Sequence, residues 1–140
     1  MGITVDVSEL TAFADRVRAA NGASKQQFIH RALTELATVY LGFVKPETPE
    51  RTGKLRLGWD ANAPVISGNS VTITNKTFYA SYVDLGHRQH PGQFVPPLKV
   101  RLKASWVPGS HFTEKAEAST KAAIPKVVQP KLDAWLRTVF

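Results

Sequence analysis

The residues with the most chemistry in them lie close together, as Asp84-x-x-His87-x-x-His90, with His111 further along the chain. Carboxylate and imidazole are ordinary ligands of zinc or iron, and helical spacing would bring Asp84 beside His87. That reading makes the chain a small metal-dependent hydrolase. Gly86 and Pro91 argue against it, because both stop a helix within the motif. The plainer reading has Asp84 capping a turn or pairing with Arg88, with the histidines in a loop. Ser81 completes the residue types of a catalytic triad, but triad members meet through tertiary geometry around an oxyanion hole, which one short segment does not supply. Thr52-Gly53-Lys54 lacks the glycine spacing of a phosphate loop and follows no strand. No catalytic, cofactor or metal residue is assigned, and the chain is read as not an enzyme.

The second chemistry is cationic. Eighteen basic residues against eleven acidic ones leave a net charge of +7, which favours an anionic partner or simply a soluble, solvated surface. Lys99, Arg101 and Lys103 alternate with Leu98, Val100 and Leu102. If this run is extended, the cations recur about every 6.6 Å along one face, close to the phosphate spacing of a nucleic-acid backbone. Such a face tracks phosphates, docks on carboxylates, or protects an edge strand from aggregation. The first option makes the chain a basic nucleic-acid-binding module. Arg51, Arg56 and Arg88 are further candidates for an interface or a lumen. The aromatics Trp59, Phe78, Tyr79, Tyr82, Phe94, Trp106 and Phe112 lie mostly beside aliphatics, which suits core or subunit contacts better than base stacking.

The elements that must position these residues follow from periodicity. Asp6 or Ser8 caps a first helix with Leu10, Phe13, Ala14 and Val17 on one face, stopped by Asn21-Gly22. Ser24 and Gln27 form a capping-box pattern for a second helix, with Phe28, Ile29, Ala32, Leu33, Leu36, Tyr40 and Phe43 as its stripe up to Pro46. Small residues such as Gly42 would let that helix lie close to a sheet. Residues 46–58 read as a proline-rich loop. Val65-Ile66 and Val71-x-Ile73-x-Asn75 flank Ser67-Gly68-Asn69-Ser70, a hairpin whose Gly and Asn suit positive φ. Tyr79, Tyr82 and Val83 then give a short helical turn closed by Gly86. After the irregular 87–97 stretch and the cationic run, a final helix begins near Ser110 with Phe112, Ala116, Ala123, Val127, Val128, Leu132, Trp135, Leu136 and Val139 as its stripe. Pro125 and Pro130 predict a kink or two pieces. The fold class is α+β: two N-terminal helices, a small antiparallel sheet built on a hairpin, and a kinked C-terminal helix packed on the sheet.

A length of 140 residues suits one domain, residues 1–140. The apolar runs are too short to span a bilayer, and the N-terminus lacks the pattern of a signal peptide. The absence of cysteine removes disulfides and thiolate chemistry, which fits a reducing compartment.

Three blocks in order resemble the tail-completion or neck proteins of long-tailed bacteriophages. They are Thr48-Pro49 with Thr52-Gly53-x-Leu55-Arg56 and Trp59; Asn75 to Arg88, holding Tyr79, Val83, Asp84 and Gly86; and Val107-Pro108-Gly109 through Phe112. Glu50-Arg51 departs from the hydrophobic-acidic pair usual before Thr52, and residues 89–105 match no family pattern. The resemblance implies a non-enzymatic virion protein without cofactors. It implies a homo-oligomeric ring, six-fold by the family's symmetry, at the head-tail junction, assembled in the bacterial host cytoplasm. Its partners would be its own copies, the connector or stopper, and the tail terminator or tail tube, with passing DNA in the lumen and no membrane. Thr52, Gly53, Leu55, Trp59, Tyr79, Val83, Asp84, Gly86, Pro108 and Gly109 would be structural motif residues. The loops at 46–58 and 87–97 would be the arms that reach a neighbour.

Overall fold

The computed structural model describes residues 1–17, 22–51 and 53–139. Asn21, Thr52 and the side chains of Phe13, Ala14, Val17 and Val139, all named above, lie outside the described residues.

The chain opens with a strand, β1 (Gly2–Asp6), where a helix lead-in was expected. Ile3 and Val5 are half-buried while Gly2, Thr4 and Asp6 are exposed, the period-two pattern of a one-sided strand. Helix α1 (Ser8–Val17) follows, and Asp6 accepts bonds from both the Ser8 amide (2.7 Å) and its hydroxyl. Helix α2 (Gly22–Glu47) includes Gly22, which was expected in a helix stop. It runs one residue past Pro46 and is the core of the protein: Phe28, Ile29, Ala32, Leu33, Leu36, Ala37, Tyr40 and Val44 are all buried. Phe43, expected in the stripe, is exposed, and Gly42 faces open space and so mediates no close approach. Four-residue steps from Leu36 through Tyr40 lead to Val44, which takes the inward position.

The expected loop at 46–58 contains a single helical turn, α3 (Lys54–Leu57), entered through Gly53 at φ 79°. Leu55 alone is buried there, and that anchor is enough to shape four residues. The hairpin β2 (Val65–Ser67) and β3 (Ser70–Thr74) forms as read, with Gly68 at φ 57° supplying the turn and Asn69 remaining at negative φ. Strand β3 is central in the order β1-β3-β2, antiparallel throughout, with Val5 opposite Val71 and Ile66 also opposite Val71. This is why Val71 and Ile73 are fully buried while the flanking strands are not.

Helix α4 (Ala80–Leu85) leads into β4 (Gly86–Arg88), which pairs with β7 (Trp106–Pro108). Between them β5 (Phe94–Val95) pairs with β6 (Val100–Arg101) across a Pro96–Leu98 turn. Finally α5 (Phe112–Val139) is helical across both Pro125 and Pro130, so it does not divide into two pieces. It packs along α2 and shares one core with the sheet, through Phe112, Ala116, Val128, Leu132 and Trp135. The Trp135 ring stacks on Phe28 at 5.3 Å, and its indole N–H donates to the Ser24 hydroxyl at 2.8 Å. Ser24 lies inside α2, so its expected place as the first cap is taken by this tertiary bond. No helix among the described residues is long and apolar enough to cross a membrane.

Candidate functional site

Asp84 is 2% exposed, on the inward face of α4. Its carboxylate accepts from the Thr113 amide (3.1 Å) and the Thr113 hydroxyl (2.5 Å), while its carbonyl accepts from the His111 amide (2.9 Å). The carboxylate thus caps the first turn of α5 from another helix, satisfying donors that a helix start leaves free and placing negative charge at its positive end. Gly86 and Gly109 permit the approach. A Cβ on Gly109 would come within 2.1 Å of the Asp84 carbonyl oxygen, and one on Gly86 within 2.5 Å of that of Val107. Within the motif read as a possible metal site, Asp84 acts as a clasp between α4 and α5. Among the described residues no group of three His, Asp or Glu side chains is arranged to hold a metal ion. His87 sits in β4 with its ring 5.9 Å from Tyr82, and His90 is exposed beyond it.

The block from Thr48 to Asn75 is a second clasp. The Trp59 indole N–H donates to the Thr48 hydroxyl (3.0 Å), which itself donates to the Val44 carbonyl (2.6 Å). Arg56 binds the Thr48 carbonyl (3.1 Å) and Glu50 (2.5 Å), which ties it down as a framework residue. Asn75, fully buried, donates to the Leu55 carbonyl (2.8 Å) and accepts from the Thr77 amide (3.0 Å). Trp59 lies edge-on between Tyr40 and Phe112. Beside these bonds lies a groove of about 510 Å³ lined by Pro49, Arg51, Gly53, Leu55, Tyr79 and Val83. Exposed apolar side chains stand on the neighbouring elements: Leu57 on α3, Phe78 (79% exposed) just before α4, and Tyr82 and Leu85 on it.

From this base rises an arm, residues 86–108. Its two sides are held by β4–β7, by the Gln89 amide on the Ser105 carbonyl (3.1 Å), by the Leu102 amide on the Gln93 carbonyl (2.8 Å), and by β5–β6. Phe94, Leu98, Val100 and Trp106 (51% exposed) lie open along it. Its charged residues are Arg88, Lys99, Arg101 and Lys103, with no acid, so it holds four of the net seven positive charges. The expected flat cationic face does not form. Only Val100 and Arg101 of the run are strand, and Lys99 turns the chain at φ 52°. Arg101 is drawn back onto its own arm, donating to the Gly92 carbonyl (2.9 Å) with its guanidinium 5.7 Å from the Phe94 ring. The prolines at 96–97 force this turn, and two-residue alternation concealed it. Phe78 was read as a core or subunit contact and is exposed, whereas Leu57 and Leu85 were not singled out in the sequence, since exposed hydrophobics have no periodic signature.

The profile of a bacteriophage HK97-gp10 tail-component family matches residues 11–86, just over half of the chain. The chain belongs to the HK97-gp10-like family. The matched stretch of this tail-component family holds both clasps' inner residues, from Thr48 to Asp84, and ends at Gly86, where the arm begins. The third resembling block, Val107 to Phe112, lies beyond it. No curated protein and no solved structure matches the chain.

Proposed function

We propose that this tail component acts as one domain of a closed homo-oligomeric ring at the phage head-tail junction, six copies joining the connector to the tail tube around the DNA passage. The arm carries this reading. A hairpin with aromatic and aliphatic side chains open to solvent has no core of its own to join, and it pairs naturally with a different apolar surface on the next copy. The face bearing Leu57, Phe78, Tyr82 and Leu85 beside the groove is such a surface. Head-to-tail contacts of this kind close into a ring when the rotation between copies is a whole fraction of a turn. The stopper and the tail terminator or tail tube are the neighbours along the axis, and assembly takes place in the host cytoplasm. The motif residues Gly53, Leu55, Trp59, Tyr79, Val83, Asp84, Gly86, Pro108 and Gly109 hold the frame, while Arg51, Arg88, Lys99 and Lys103 face partners.

The test is loss of the protein from the particle. Electron microscopy should then show filled heads and separate tails, and intact joined particles would reject the junction role. A second reading, nucleic-acid binding by Lys99, Arg101 and Lys103, is favoured by the absence of acids from the arm. It requires duplex affinity that falls steeply with salt and disappears on reversing the three charges.

A further inference from the structure

We propose that the cleft between β1 and the first half of α5 receives the arm tip of a second copy, seating that copy's Lys99 between the Asp6 and Glu117 carboxylates above the Tyr40 hydroxyl. The proposal rests on the ring reading and adds a contact for the arm tip alone, beside that of the arm's apolar sides on the groove face. The cleft measures about 260 Å³ and is lined by Thr4, Asp6, Tyr40, Glu117, Thr120 and Ile124 among others. That is below the roughly 300–1,000 Å³ of small-molecule pockets and suits one long side chain.

Tyr40 marks it as unfinished. The side chain is fully buried, yet its hydroxyl has no hydrogen-bond partner among the described residues. Burial pushes the phenol's pKa up, with the Asp84 and Glu117 carboxylates adding to the shift, so it remains a neutral hydroxyl that can also accept a bond. Buried hydroxyls normally find partners, and none is supplied among the described residues. A primary ammonium would supply one and would meet both carboxylates. Lys121 also lines the cleft, 71% exposed, and pairs with Glu117 at 3.3 Å, an exposed bond weak enough to yield so that an incoming cation takes its place.

The donor side matches. Lys99 stands exposed at the arm tip, held out by the left-handed turn after Pro96–Leu98, whereas Arg101 is occupied within its own arm. Strand β1 pairs with β3 alone among the described residues, leaving its outer edge for an incoming hairpin.

Sedimentation velocity on the full chain tests this. Lys99→Glu and Glu117→Lys should each weaken self-association by about tenfold or more, and the two exchanges together should restore it. Glu114→Lys, on the same helix but not lining the cleft, should leave association unchanged. Tyr40→Phe should keep or raise the melting temperature while weakening association, which a merely structural tyrosine would not do. Association at the wild-type level in both single variants, or no recovery in the exchange, overturns the proposal and leaves the ring standing. A wild-type chain that never associates overturns both. Loss of duplex binding without loss of association would hand Lys99 to DNA.

Discussion

Replacing Asp84 tests the clasp that joins α4, the arm base and α5. Asp84→Ala removes two bonds to Thr113, at 3.1 and 2.5 Å, from a site almost without solvent, and leaves the amide and hydroxyl of Thr113 with nothing to replace them. A lost cap costs about 1 kcal/mol, and a bond to a charged acceptor about 1.5–3 kcal/mol, so the pair together should cost about 3 kcal/mol. For a chain of this size that is a fall of about 10 °C in melting temperature. Asp84→Asn keeps one acceptor and should lose about half as much. Thr113→Val removes the hydroxyl bond and keeps the amide, so the double variant Asp84→Ala/Thr113→Val should cost less than the two single changes added together. Urea denaturation followed by circular dichroism, at one protein concentration because association adds to apparent stability, gives these numbers. The reasoning fails if Asp84→Ala melts within about 1 °C of wild type, or if the two changes add without coupling. A large fall in wild-type stability on adding a chelator would instead return Asp84 to the metal reading.

Trp59→Ala should cost about 3–5 kcal/mol, because the ring is buried against Tyr40 and Phe112 and its N–H is spent on Thr48; the same denaturation curve measures it. Gly109→Ala should cost about 3 kcal/mol, since the new methyl meets backbone on the Asp84 side and neither strand nor helix can yield cheaply, and hydrogen exchange should show the arm base opening first. Asp6 is held below its ordinary pKa of 3.8 by the Ser8 hydroxyl and amide. A depressed carboxylate stabilises the fold above its unfolded pKa and loses that contribution as pH falls through the folded value. Asp6→Asn should therefore be less stable than wild type at neutral pH, with the difference vanishing well below pH 3.8, as a pair of pH-melting profiles would show.

Much of this architecture was legible because it rests on local periodicity. The α2 stripe, the hairpin around Gly68 and the stop at Gly86 each follow from side-chain spacing or a turn residue, and the structure keeps them. What was illegible depends on distant partners. Strand β1 is five residues long and becomes a strand only because β3 lies beside it; the signal was the alternation of Ile3, Val5 and Val7 ahead of Ser8. The chain stays helical at Pro125 and Pro130 because packing of α5 on α2 outweighs the hydrogen bonds the prolines remove. Lys99 was misplaced for the opposite reason, since alternation of charge and aliphatics suggested a strand that Pro96-Pro97 bends into a turn. Asp84 had the right residue type for chemistry and the wrong neighbours for it, and only Thr113, 29 residues away, shows what the carboxylate does.

The arm is the centre of the account, and trimming it is the direct test. Residues 89–105 can be replaced by a two-residue Asn-Gly turn, which should join Arg88 to Trp106 across the existing β4–β7 ladder. Image averaging of both purified proteins should show closed rings for wild type, with a hairpin crossing each subunit boundary, and folded single subunits for the trimmed chain. Rings that still form without the arm, or a wild-type protein that remains single subunits beside its connector and tail-tube partners, would contradict it.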